Sequence, residues 1–294
     1  MKTGLIALMI AGLIGGISPI LVKIGVKEIP PLTLTAIRFF LATLVFLPFF
    51  LKFKTKNLSR RDLKNISFIS IFFALNVSIF SIAIQFTTAI VSQILYTLVP
   101  IIVVVLSYFV LKEKITKNKI IGLMLAFAGV AFLIQQSITK EEVLTFGTPL
   151  GNFLNIAAVI SWSFYLIYSK KLTTKYSPAT TTFFSFLVTT VLLLIILPVE
   201  LTIRPLIISN VTFSGIASIL GLAFFSSCLM FFLIQLVIKK TSPFTASLFQ
   251  YMGPFSAAIF AIPILGEKIT FPLIFAGFLI ILGVFYATNF NKKK

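Results

Sequence analysis

The chain has no histidine, one cysteine, one tryptophan and seven carboxylates in 294 residues. Without histidine, no step can use an imidazole as base, proton shuttle or metal ligand. Cys228 cannot form an intrachain disulfide alone, and its apolar surroundings read as those of a small buried hydrophobe. The carboxylates Glu28, Asp62, Glu113, Glu141, Glu142, Glu200 and Glu267 all fall at loops or predicted helix ends. The paired aspartates that hold a divalent metal in membrane transferases are therefore missing. So are a lysine in a glycine-rich phosphate loop and a repeated filter of the kind a channel needs. No enzyme activity, cofactor or metal is expected.

Charge is scarce as well. Charged residues make up 11% and hydrophobic residues 59%, with a mean hydropathy of +1.10. A soluble domain sits near roughly 25% charged and about 45–50% apolar, so the composition names lipid as the solvent. The net charge of +18 does not indicate nucleic acid, because the basic residues come in short bursts between long apolar runs, not interleaved with polar readers on one face.

A span needs about 20 apolar residues. Ten runs qualify, near 4–22, 32–51, 66–85, 89–111, 119–137, 148–168, 178–198, 212–237, 243–265 and 270–289. With the N-terminus inside, nineteen Lys and Arg fall on the inner side and five on the outer, while Arg38 lies within a span. This bias predicts a multi-pass protein of the plasma membrane with both termini cytoplasmic. The first run lacks a small-residue cleavage site and reads as a retained helix, not a signal peptide.

The sequence repeats itself. "LKEKIT" at 111–116 returns as "LGEKIT" at 265–270, and each copy starts 11 residues after a proline, Pro100 or Pro254. At this offset of 154, Thr87, Gly129 and Val130 also meet Thr241, Gly283 and Val284. Nearer the N-terminus the offset is 147, setting Pro31 on Pro178 and Lys23 on Lys170. Each half, 1–138 and 139–294, therefore holds five helices. Because five is odd, the second half must insert inverted relative to the first, a pattern that places a transporter's substrate site near the midplane where the halves meet. The hexapeptide reads as the hairpin between the fourth and fifth helices of each half. Thr116 or Thr270 would cap the helix that follows, with Glu113 or Glu267 favouring its positive end; a proton-carrying carboxylate is the alternative.

Ten helices in two five-helix repeats, "RFFLA" at 38–42 and a proline followed 13 residues later by Glu-Lys in both halves resemble the EamA family of the drug/metabolite transporter superfamily. The resemblance covers nearly the whole chain, although "FFSF" at 183–186 gives the first half's arginine no twin. It implies secondary transport, often export, of amino acids, metabolites or drugs, with a small solute and the lipid bilayer as partners. A flippase for a lipid-linked substrate is the alternative.

Polar groups at membrane depth mark candidate sites. Arg38 could grip a substrate carboxylate bidentately or pin helix ends. Gln93, Tyr96 and Pro100 form a stripe on the fourth helix, with Thr97 beside them. Gln250, Tyr251 and Pro254 are the counterparts on the ninth helix. These residues would line a central cavity or serve as interhelical glue, and the prolines would loosen both helices as hinges. Trp162 is deep enough to stack on a substrate, and Asn76, Gln85 and Gln235 are further cavity candidates. Gly12, Gly15, Gly16, Gly122 and Gly129 fit close helix packing or contact with a second chain in a homodimer.

Overall fold

The computed structural model describes residues 2–55, 58–111, 117–139 and 143–289. The first copy of the hexapeptide, with Glu113 and Thr116, lies outside the described residues. In hydrocarbon an apolar run must close its own backbone hydrogen bonds, and these runs do so as helices. They are α1 (Lys2–Glu28), α2 (Pro31–Phe53), α3 (Arg60–Ala83), α4 in two pieces (Ala89–Tyr96 and Val99–Leu111), α5 (Lys117–Thr139), α6 (Pro149–Lys175) and α7 (Pro178–Ile203). Next come α8 in three pieces (Phe213–Gly221, Leu222–Phe231 and Phe232–Lys240), α9 in three (Pro243–Ser247, Leu248–Met252 and Gly253–Leu265) and α10 (Phe271–Asn289). A single turn, Val143–Phe146, precedes α6. Among the described residues, nine stretches are long and apolar enough to cross a membrane, and Phe271–Gly283 forms a shorter apolar stretch.

The boundaries follow local chemistry. Pro31, Pro149 and Pro178 open α2, α6 and α7, at the position where a missing N–H costs nothing. Ser59 and Asp62 form a reciprocal capping box at the start of α3. Gly266, at φ 67°, terminates α9 in the left-handed conformation.

Three helices expected to run continuously are interrupted. In α4 the helix stops at Tyr96 and restarts at Val99, and in α9 the chain tightens to 3-10 geometry over Leu248–Met252 before restarting at Gly253. In both, the proline (Pro100 or Pro254) is the second residue of the restarted helix. It cannot supply the N–H that would continue the preceding turn. The ladder tightens there to bonds three residues back, Leu98 N–H to Leu95 O in α4 and Gly253 N–H to Gln250 O in α9, so each span runs on through a local change of helical geometry. In α8, Leu222–Phe231 takes the wider π-helical turn, which inserts extra residues and redirects side chains.

Helix α2 packs antiparallel on α7, and α5 on α10. Glu200, near the end of α7, accepts the backbone N–H groups of Leu32 and Thr33 at the start of α2 (2.8 and 2.6 Å). At the opposite ends, Thr55 accepts from Ser177 N–H (2.8 Å). On α5 and α10, Gly129 abuts Ala276 and Ile280 while Gly283 abuts Gly122 and Ala126. The α1 glycines pack onto α9, with Gly12 against Met252, Gly15 against Phe249 and Gly16 against Ser256, so these small residues serve helix contacts within the chain. Large apolar side chains such as Phe109, Phe127, Ile195 and Phe271 point outward at 68–79% exposure, a surface suited to lipid and not to water.

Candidate functional site

At the centre of the bundle the interruptions in α4 and α9 face a common cavity of about 60 Å³. A single buried water needs roughly 10–15 Å³, so this conformation has room for a few waters or a very small solute. Six of the ten residues singled out from sequence line it: Arg38, Asn76, Gln93, Tyr96, Trp162 and Gln250. The remaining wall comes from Gly15, Ser18 and Pro19 of α1, Val77 and Phe80 of α3, Met230 and Phe231 of α8, and Phe249 of α9.

Thr97 and Tyr251 do not line it. The Thr97 hydroxyl donates to Ile94 O (2.6 Å), turning back on its own helix where that helix stops. The Tyr251 hydroxyl is buried without a partner. Gln85 lies away from the cavity, bonded to Arg204 and to Ile82 O. Gln235 donates to Tyr165 and Ser169 between α8 and α6.

Arg38 is 4% exposed. Its Nε donates to Ser227 Oγ at 2.8 Å, and its guanidinium carbon lies 4.9 Å from the Phe39 ring centroid and 5.9 Å from that of Phe231. Asn76 Nδ2 donates to Tyr96 Oη (2.7 Å) and Ala158 O (2.8 Å), which fixes the tyrosine against α3 and leaves its own proton free to point elsewhere. Trp162 stacks on Tyr165 at 5.4 Å and joins Phe73 and Phe231 in an aromatic wall, while its Nε1–H has no partner. Gln93 Oε1 has none either; it presses on Gly253, where any Cβ would overlap it. Pro19 and Pro100 have no N–H to offer the carbonyls of Gly15 and Tyr96, four residues before each. The wall thus sets a guanidinium, two amides and a phenol among aromatic rings, a mix that suits a ligand site, while the unpartnered Trp162 Nε1 and Gln93 Oε1 are themselves sealed from it.

Sequence reasoning missed the contribution of α8 and α1. The available signals were the adjacent Ser226 and Ser227 in an apolar run and Pro19 inside the first helix.

The ends of the helices are tied on both faces. Lys23 Nζ donates to Thr87 O (2.6 Å) and pairs with Glu267 (3.2 Å). Glu267, 2% exposed, accepts the N–H groups of Ala89 and Ile90 (2.6 and 3.0 Å). The expectation that Glu267 serves the helix following it is therefore corrected: it caps α4 of the other half, because the hairpin folds back across that N-terminus and two buried N–H groups attract the carboxylate more strongly. Elsewhere Lys170 donates to Ile238 O and Thr241 O (3.0 and 2.7 Å). Glu28 accepts from Thr212 N–H (2.8 Å), and Asp62 binds Lys175 and Tyr176 (both 2.5 Å).

A polytopic protein, all-helical over the described residues, with a small cavity of mixed polar and aromatic lining is the class that fold and site define. The sequence profile of the EamA-like transporter family matches residues 2–135 and 149–289, and the chain belongs to that family. An uncharacterized transporter of Bacillus subtilis, YetK, is 29% identical over 98% of this chain and 87% of its own length. One of Clostridium kluyveri is 27% identical over 90% and 85%. A protein of Escherichia coli called a probable amino-acid metabolite efflux pump is 27% identical over 58% of this chain and 54% of its own. A crystal structure with 17% sequence identity superposes with a TM-score of 0.69, covering 99% of this chain and 97% of that one, which supports the fold.

Proposed function

We propose that this multi-pass membrane protein is a secondary transporter that exports or exchanges a small solute by alternating access. It crosses the plasma membrane ten times in two inverted five-helix repeats, 1–138 and 139–294, with both termini cytoplasmic. The observation that carries the reading is the central cavity where the two proline-interrupted helices meet, with the buried guanidinium of Arg38 in its wall. Several contacts support the inversion. The antiparallel pairings of α2 with α7 and of α5 with α10 are what a rotation about an axis in the membrane plane produces. Lys23 on Thr87 O and Lys170 on Thr241 O repeat one contact at the two sequence offsets, on opposite faces. Export is the direction suggested by the name of the Escherichia coli relative.

In this reading Arg38, Asn76, Gln93, Tyr96, Trp162 and Gln250 bind the solute. Thr97 and Tyr251 flank the breaks and meet it as the cavity opens, and the halves rock about Pro100 and Pro254. A cavity this small and surrounded by helix-end ties corresponds to an occluded state, which opens to one face when that face's ties release.

The test is transport by the purified chain in proteoliposomes, screened over amino acids, organic acids, nucleosides and cationic drugs. Substitution of Gln250 or Tyr96 is expected to weaken transport without lowering membrane abundance. Normal transport by both variants would place the site elsewhere, and no flux of any solute would remove the transporter reading.

A further inference from the structure

The geometry points to a small monocarboxylate as the ligand of the central cavity, with Arg38 as its receptor and Ser227 as a positioning residue. This rests on the transporter reading above and narrows its substrate class.

Arg38 is a buried cation with no ion-pair partner among the described residues. An unpaired charge at membrane depth is expensive and persists where function uses it. The described carboxylates are all committed elsewhere: Glu28 to Thr212, Asp62 to Lys175, Glu200 to Thr33 and Glu267 to Lys23. The cavity therefore carries one positive charge. A monoanion neutralises it, a cation is repelled, and a dianion leaves a buried negative charge uncompensated.

The guanidinium is also oriented. Ser227 Oγ takes the Nε–H, and the Phe39 and Phe231 rings lie within cation–π range. The two terminal nitrogens donate to no described residue, so this edge, which matches a carboxylate in bidentate fashion, stays open on the cavity wall. The Ser227 contact arises because the π-helical turn of α8 directs that hydroxyl inward. The cavity's volume of about 60 Å³ favours an acid of a few carbons.

Trp162 is the only tryptophan in the chain and lies in the cavity wall, so its fluorescence reports occupancy directly. The experiment titrates the purified full-length protein in nanodiscs with lactate and with lactamide, which has the same shape without the charge. Saturable change with lactate, and binding of lactamide at least tenfold weaker, is expected. Arg38→Gln should erase this preference, and Ser227→Ala should weaken lactate about three- to tenfold while leaving lactamide unchanged. Equal binding of acid and amide by the wild type overturns the inference, as does a preference that survives Arg38→Gln. Should Arg38→Gln fail to fold, the wild-type comparison and Ser227→Ala decide alone. A neutral or cationic solute that shifts Trp162 emission where lactate does not would sink the carboxylate and keep the transporter. Transport of solutes none of which affects Trp162 would remove the cavity as the site, and this inference with it.

Discussion

Glu267→Gln is the most informative perturbation of the helix-end ties, because the structure predicts an asymmetry between two partners of one ion pair. Glu267 takes two backbone N–H groups at the start of α4 as well as Lys23, whereas Lys23 keeps Thr87 O when the glutamate is gone. Glutamine retains one acceptor oxygen but turns a donor toward a backbone donor, and it leaves the lysine charge unpaired. Breaking a buried pair from one side costs roughly 3–5 kcal/mol. The Lys23 side chain retains 18% of its accessibility, so the loss should sit near the low end, about 3 kcal/mol. Lys23→Met leaves the carboxylate still bonded by two N–H groups at a helix N-terminus and should cost only about 1 kcal/mol. In the double variant the stranded charge disappears, so its cost should fall below the sum of the two. Unfolding free energies of the three variants in mixed micelles measure this cycle. Equal single costs, or strict additivity, would refute the assignment of Glu267 as the cap of α4.

Four further outcomes are expected. Tyr96→Phe and Gln250→Ala should each lower solute affinity by about 1–3 kcal/mol, while Phe109→Leu, at a 68% exposed lipid-facing position, should leave flux unchanged; kinetics in proteoliposomes separate them. Gly253→Ala should displace Gln93 and lower both stability and transport, and pairing it with Gln93→Ala should restore part of the thermal stability but not the transport, since the clash is with that side chain. Reporter fusions after Phe53 and after Lys171 should report cytoplasm and fusions near Ser137 the outside; the opposite pattern overturns the inverted topology. Transport should not depend strictly on sodium, because none of the described carboxylates lines the cavity, and an ion-replacement assay checks this.

The helical spans were legible because the rule that makes them is local. In hydrocarbon every backbone group must be satisfied within its own segment, so a run such as Pro178–Ile203 can only be a helix whatever surrounds it. The repeat was legible for a related reason: prolines and glycines impose backbone constraints, so Pro100 and Pro254 announce a disturbance on their own. That the disturbance is a two-residue turn in α4 and a 3-10 stretch in α9, with the proline seated as the second residue of the α-helical piece that follows, could not be read from the prolines alone. The stripe of Gln93 and Tyr96 and the depth of Arg38 could be read along single helices, and the structure brings them to one wall. Which of their neighbours share that wall was decided in three dimensions. Thr97, one residue from Tyr96, turns back to the Ile94 carbonyl of its own helix, while Ser227, 189 residues from Arg38, accepts from its Nε. Glu267 passes over the helix it precedes to cap one in the other half. Side-chain partners of this kind are chosen by the packing of distant helices, and apolar periodicity carries no record of which helix lies beside which. Composition and apolar runs suffice to name lipid as the solvent and to mark the helices, because both follow from local chemistry; which polar side chains meet around the central cavity follows only from the way distant helices pack.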